Sequence, residues 1–126
     1  MGAFVAGEKA DGVLVPGDHG TTYGGNPLAG AAVNAVFDQF EKLDLVAHVR
    51  EVGGYLWDKL EELKNEFSFI TAHRGIGLMQ GLEFSEEKQA GQIVSKALSN
   101  GLILISAGNN VLRFVPPLVI ERNMWI

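Results

Sequence analysis

The chain of 126 residues contains no cysteine. That excludes a disulfide framework and any thiolate-held metal or redox pair. It also lacks a long apolar run. Its hydrophobic stretches are broken by glycine or charge well short of the ~20 residues that a membrane-crossing helix needs. Positive charge is scarce, with ten Lys and Arg against fifteen Asp and Glu and a formal net charge of -5. A field of that sign repels phosphate backbones and anionic lipid, so no nucleic-acid or membrane partner is expected. The N-terminus has no basic secretory leader, and Ala6 stands where a myristoylation signal wants Ser or Thr. A cytoplasmic location is the expectation. The three histidines, His19, His48 and His73, share no ligand spacing, so no metal site is expected. No Ser-His-Asp set or catalytic carboxylate pair can be argued from residue order.

What is present is a globular composition with an excess of glycine. Hydrophobic residues make up 47% of the chain, enough for one domain to bury a core. Glycine occurs 16 times, against an average usage of about 7%. The excess gathers in two places, Gly17 to Gly30 and Gly75 to Gly81. Clustered glycine points to backbone held close to something else rather than to a loose linker.

Along the chain, Asn26-Pro27 opens a helix, since Asn is a favoured N-cap and Pro a favoured first residue. The helix begins with small side chains, Ala29, Gly30, Ala31 and Ala32, which suit packing against a larger body. A second helix starts near Asp44, with Leu45, Val49, Val52, Leu56, Leu60 and Leu63 on one stripe. Gly53-Gly54 in its middle predicts local weakness and a kink. Residues 67–84 read as two strands with a Gly-rich interruption at Arg74-Gly75-Ile76-Gly77. Leu78, Gln80, Leu82 and Phe84 share one side. A third helix spans Glu86 to Ser99, with Ala90, Ile93, Val94, Ala97 and Leu98 inward. Leu102 to Ile105 reads as a short buried strand, Ala107 to Asn110 as a turn, and Val111 to Val115 as the returning strand. Residues after about Val46 therefore form a compact α+β unit with a short, mostly antiparallel sheet. The part before it shows no closed core of its own. The expected division is 1–45 and 46–126.

Two places invite chemistry. The segment Gly17 to Pro27 combines the hydroxyls of Thr21 and Thr22 with Gly20, Gly24 and Gly25, directly before a helix N-terminus. Such a segment suits an anion like phosphate, though a plain turn has the same composition. It is neither a P-loop nor a dinucleotide fingerprint. Arg113 lies in a strand of apolar neighbours, on the face of Val111 and Val115. It needs a counter-charge: an internal Asp or Glu, solvent at a sheet edge, or a bound carboxylate.

Four stretches, in order over nearly the whole chain, resemble the class III aminotransferases, the ornithine-type, fold-type I enzymes that use pyridoxal phosphate (PLP). Gly2-Ala3-Phe4-Val5-Ala6 resembles the family's P-I-G-A. His19-Gly20-Thr21-Thr22-Tyr23-Gly24-Gly25-Asn26-Pro27 resembles H-G-S/T-T-F/Y-G-G-N-P. Arg74 to Gly81 resembles R-G-x-G-L-M-x-G, and Leu112 to Leu118 resembles L-R-F-x-P-P-L. The resemblance implies that residues 1–45 close the large cofactor-binding domain and that 46–126 form the small C-terminal domain, shortened at its end. It implies that Thr22 binds the PLP phosphate in the partner subunit of a homodimer, with Gly24 and Gly25 giving room beside the cofactor. Thr21 would lie near the substrate and Arg113 would hold its α-carboxylate. No catalytic residue is implied within the chain. The family's Schiff-base lysine precedes the P-I-G-A stretch, and Lys9, Lys42, Lys59, Lys64, Lys88 and Lys96 are out of that context. The implied reaction moves an amino group from N-acetylornithine to 2-oxoglutarate in arginine biosynthesis, with the isolated chain inactive. Ornithine, succinylornithine, 4-aminobutyrate or lysine are alternative donors. A non-enzymatic α+β module that binds a carboxylate is a separate alternative.

Overall fold

The structure, a computed structural model, describes Gly2 and residues 5–125. Ala3 and Phe4, part of the first quoted stretch, lie outside the described residues. The chain divides into two units, Met1–Lys42 and Leu43–Ile126.

The first unit carries the Gly-rich loop and helix α1 (Pro27–Lys42). Asn26 caps the helix, its Oδ1 accepting the Ala29 N–H at 3.1 Å, as the sequence predicts. No residue of α1 is buried, and Leu28 and Phe37 are largely exposed. The half-buried positions include the small residues Ala29 and Gly30.

The second unit is built on a four-stranded antiparallel sheet of β1 (Ile70–Ile76), β2 (Met79–Phe84), β3 (Ile105–Ala107) and β4 (Val111–Phe114), ordered β1-β2-β4-β3. Helices α2 (Leu45–Glu66) and α3 (Ala90–Ser99) share one core with it. Val52, Leu56 and Leu60 of α2 and Ala90 of α3 meet Leu82, Phe84 and Leu112. The sequence reading of a helix-packed antiparallel α+β unit holds. The alternation of β2 sorts the faces: Gln80, Leu82 and Phe84 enter the core, while Met79, Gly81 and Glu83 take the other side.

Three expectations change. Helix α2 runs unbroken through Gly53-Gly54. Gly53 is there for contact: a Cβ on it would lie 2.7 Å from both the C and the O of Gly77. The helix thus meets the β1–β2 turn backbone to backbone. Helix α3 starts at Ala90, not Glu86, because Asn110 decides its first turn from 20 residues away. The Asn110 Oδ1 accepts the Ala90 N–H at 2.7 Å, and its Nδ2 donates to the carbonyls of Phe84, Ser85 and Lys88. Finally, residues 102–105 do not form a buried strand. Leu102 and Ile103 are exposed and only Leu104 packs on the core; β3 begins at Ile105. Leu98 of α3 is likewise exposed.

Gln80, 2% exposed, ties the two backbones together from one amide: its Nε2 donates to Gly53 O at 2.9 Å, in addition to that carbonyl's place in the helix, and to Gly77 O at 2.6 Å. Its Oε1 then faces His73 Nε2 at 3.1 Å, and His73 Nδ1 faces Glu61 Oε1 at 2.7 Å. The fully enclosed His73 side chain stacks on Trp57, centroids 3.9 Å apart.

Adjacent glycines of α2 should respond in opposite ways. Gly53→Ala drives a methyl into the Gly77 backbone and should cost about 2–3 kcal/mol. Gly54→Ala meets nothing within 4 Å and should stabilise by about 0.5–1 kcal/mol. Urea unfolding of both variants measures this, and equal effects would exclude the close approach as its cause.

The network also sets a pH dependence. The hydrogen bond from His73, then that from Lys64, holds the Glu61 carboxyl below its ordinary value against the opposing effect of desolvation. Folding favours the ionised form, so this stability is complete above the ordinary carboxylate range. It is lost as pH falls through the lowered value. Glu61→Gln should be less stable than the parent at neutral pH, and the gap should close in acid. Urea midpoints across that range give the comparison.

Candidate functional site

The two places singled out by sequence fall in different units. In the second, β4 lies between β2 and β3, so Arg113 is on an interior strand rather than at a sheet edge. Its neighbours Leu112 and Phe114 face the core, which turns Arg113 to the helix-free face, where it is exposed. Gly81 is its partner on β2, and Arg74 is the partner of Gly81 on β1. Two arginines therefore flank a residue with no side chain. Around them is a depression of about 260 Å³, lined by Arg74, Ile76, Met79, Gly81, Val111 and Arg113 among others. Its floor depends on Gly81, where a Cβ would stand 3.0 Å from Val111 Cγ1.

The two guanidinium groups differ in their partners. Arg74 Nη2 donates to Glu83 Oε2 at 2.6 Å. Arg113 makes no ion pair and no side-chain hydrogen bond among the described residues. An internal acid partner, one reading open from sequence, is therefore not what the structure shows. A planar fork on an open, partly apolar face suits two-point capture of a carboxylate.

In the first unit, residues 17–26 are all exposed. The chain turns as the Gly24 N–H donates to Thr21 O at 3.3 Å and the Tyr23 N–H to Thr21 Oγ1 at 3.4 Å. Gly25 takes φ 69°, and a Cβ on Gly24 would meet Thr21 Cγ2 at 2.9 Å. Gly25 is thus favoured by the turn's own backbone conformation, a reason that composition alone does not supply, while at Gly24 only an exposed side-chain methyl would have to move. Among the described residues the Thr22 hydroxyl has no partner, nor do the N–H groups of Thr22, Gly25 and Asn26. Asp18, the loop's one acid, already accepts the Val15 N–H at 3.0 Å. The loop can offer these donors to an anion, and its residues fit one wall of a phosphate site.

The remaining candidates are structural. His48 Nε2 lies 2.9 Å from Ile120 O, fastening the chain after β4 to α2. His73 belongs to the buried network, and His19 is exposed. No group of three or more metal-ligating side chains occurs among the described residues. Sequence reasoning missed Gln80 and Asn110, which bind backbone groups far away in sequence. A buried-face Gln within an apolar alternation, and a second Asn in a two-Asn turn, were the available signals.

Comparison with known proteins places this geometry in context. The sequence matches the family described as Aminotransferase class-III over residues 1–125. It is 44% identical over 119 residues to the acetylornithine aminotransferase of Clostridium acetobutylicum, covering 94% of this chain and 30% of that protein. It is 47% identical over 122 residues to that of Gloeobacter violaceus, covering 96% and 30%. Among solved structures, the acetylornithine aminotransferase of Elizabethkingia anophelis superposes with TM-score 0.76 at 31% identity, over 88% of this chain and 30% of that one. The ornithine delta-aminotransferase of Plasmodium falciparum gives TM-score 0.79 at 33% identity, over 88% and 28%. The chain thus spans under a third of the length of the relatives it matches.

Side chains kept for a ligand should contribute little to folding. Arg113→Ala and Thr22→Ala should each shift unfolding free energy by no more than about 0.5 kcal/mol. Chemical denaturation reads this directly. A loss of a few kcal/mol in either would assign that residue to the scaffold.

Proposed function

The chain belongs to the class-III aminotransferase family, and from that premise we propose that it forms part of a PLP-dependent enzyme that moves the amino group of N-acetylornithine to 2-oxoglutarate. The observation that carries the reading is Arg113, which stands in the depression beside Gly81 without an acidic partner among the described residues. The donor follows from the relatives, which bear the name acetylornithine aminotransferase. Ornithine is the second reading, favoured by solved neighbours named ornithine aminotransferases. PLP, when bound, supplies the electron sink for amino transfer.

This chain's residues would bind and orient. The Arg113 fork takes the α-carboxylate common to amino-acid donor and 2-oxoacid acceptor, so one residue serves both half-reactions. The open sheet face leaves room for the rest of the substrate above Gly81. Thr22 would hold the cofactor phosphate through its hydroxyl, with N–H groups of the turn beside it, and Gly24 and Gly25 would leave room beside the cofactor. Thr21 stands next to Thr22 on the substrate side. In the full-length homodimer the loop would serve the partner subunit's active site. Residues 1–45 would belong with the large domain and 46–126 would form the small one. The lysine that acts on substrate would come from outside this chain. Lys59 and Lys64 are paired with Glu62 and Glu61. The enzyme would work in the cytoplasm.

Two measurements test the reading. Mixed with PLP and substrates, the chain alone should give neither a cofactor absorbance change nor turnover. In the full-length enzyme, Arg113→Ala should lower kcat/KM for donor and acceptor alike by about a hundredfold or more, the loss of one charge-assisted pair of about 3 kcal/mol. Unchanged kcat/KM for both would remove Arg113 from the site.

A further inference from the structure

Among the described residues of this unit, the sheet face turned away from α2 and α3 carries one strand carboxylate and two strand arginines, and register places the carboxylate between them. Arg74, Gly81 and Arg113 lie side by side on β1, β2 and β4. Glu83 is two residues beyond Gly81 on β2, on the same face. It is therefore the diagonal neighbour of Arg74 on one side and of Arg113 on the other, within reach of long side chains in either direction. Its direct cross-strand partners are Ala72 and Val111, which offer it no hydrogen bond. A carboxylate so placed will close on one guanidinium or the other. It closes on Arg74, at 2.6 Å, and no ion pair joins it to Arg113 among the described residues.

We propose that Arg74 is a positioning residue: by engaging Glu83 it keeps that carboxylate off Arg113 and leaves Arg113 open to an incoming carboxylate. The inference rests on Arg113 being the carboxylate-binding residue proposed above. Without Arg74, Glu83 has a single cation within diagonal reach on this face. An intramolecular carboxylate at that distance competes with a free ligand at high effective concentration. Arg74 itself need not touch the ligand. The pair is partly exposed, at 61% and 35%, so its contribution to folding is small, while its effect on the charge beside Gly81 is direct.

The test uses the chain itself, with butyrate as a monocarboxylate probe at constant ionic strength, followed by amide NMR shifts at Gly81 and Arg113. The parent should bind saturably and weakly, and Arg113→Ala should not bind. Arg74→Ala should weaken binding by about fivefold to tenfold, the range of one modest charge pair. Arg74→Lys, which can still hold Glu83, should stay near the parent. The double variant Arg74→Ala with Glu83→Gln should return to the parent's affinity. That rescue separates masking from any general damage to the sheet, which removing Glu83 could not repair. An Arg74→Ala affinity equal to the parent's, or a double variant as weak as Arg74→Ala, would overturn the proposal while leaving Arg113 as the binding residue. If the parent shows no saturable shift at Arg113, the carboxylate reading fails and this inference falls with it.

Discussion

The close approach of Gly53 to Gly77 is the constraint on which the second unit turns. A helix and a hairpin turn meet here without side chains between them, and that contact fixes where β1 and β2 lie along α2. One amide, that of Gln80, bridges the two backbones at this point, and the remaining oxygen of that amide places His73, which in turn engages Glu61. The chain of contacts runs across the helix–sheet boundary and ends at a partly exposed carboxylate. Its members are polar, yet they sit within a core of Leu56, Leu60, Leu78 and Leu82. A polar network in that setting favours one register over its neighbours, because a shift of one residue would leave several buried groups unpaired.

Register then decides the chemistry of the other face. With Gln80 held inward, Gly81 must face outward, and with it Arg74 and Arg113 on the flanking strands. Within this unit, helices α2 and α3 cover one side of the sheet, so the other face can carry a charge imbalance that a core could not. Among the described residues, one arginine has its carboxylate and the other has none. The same pairing pattern that fixes the core thus leaves an uncompensated guanidinium over a residue with no side chain.

Much of this was legible from residue order. The period of 3.6 gave α2, the alternation of β2 gave the inward set from Leu78 to Phe84, and Asn26-Pro27 gave the start of α1. The failures share one physical cause, interaction between residues distant in sequence. The pair Gly53-Gly54 reads as a weak point because propensity knows nothing of Gly77. The start of α3 moves to Ala90 because Asn110 arrives to cap it. Residues 102–105 look like a buried strand because they are apolar, but pairing with β4 begins only at Ile105. At the candidate site, the face of Arg113 followed from alternation. Its lack of a partner did not, since that depends on which cation Glu83 selects.

The glycines of the loop show how one pattern can have two causes. Read as a cradle, Gly24 and Gly25 leave room for a ligand. In the structure Gly25 is already accounted for by its positive φ, while Gly24 meets only the movable methyl of Thr21. A turn of this shape favours glycine at 25 with no ligand present, so Gly25 by itself does not argue for phosphate. The case falls instead on what the turn leaves over. Thr22 is the residue whose hydroxyl the turn does not use, while Thr21 spends its carbonyl and hydroxyl oxygens on Gly24 and Tyr23. Thr21 thus builds the turn through both of its oxygens, but only as an acceptor; each of the two hydroxyls keeps its proton to donate, so the turn alone does not choose between the adjacent threonines.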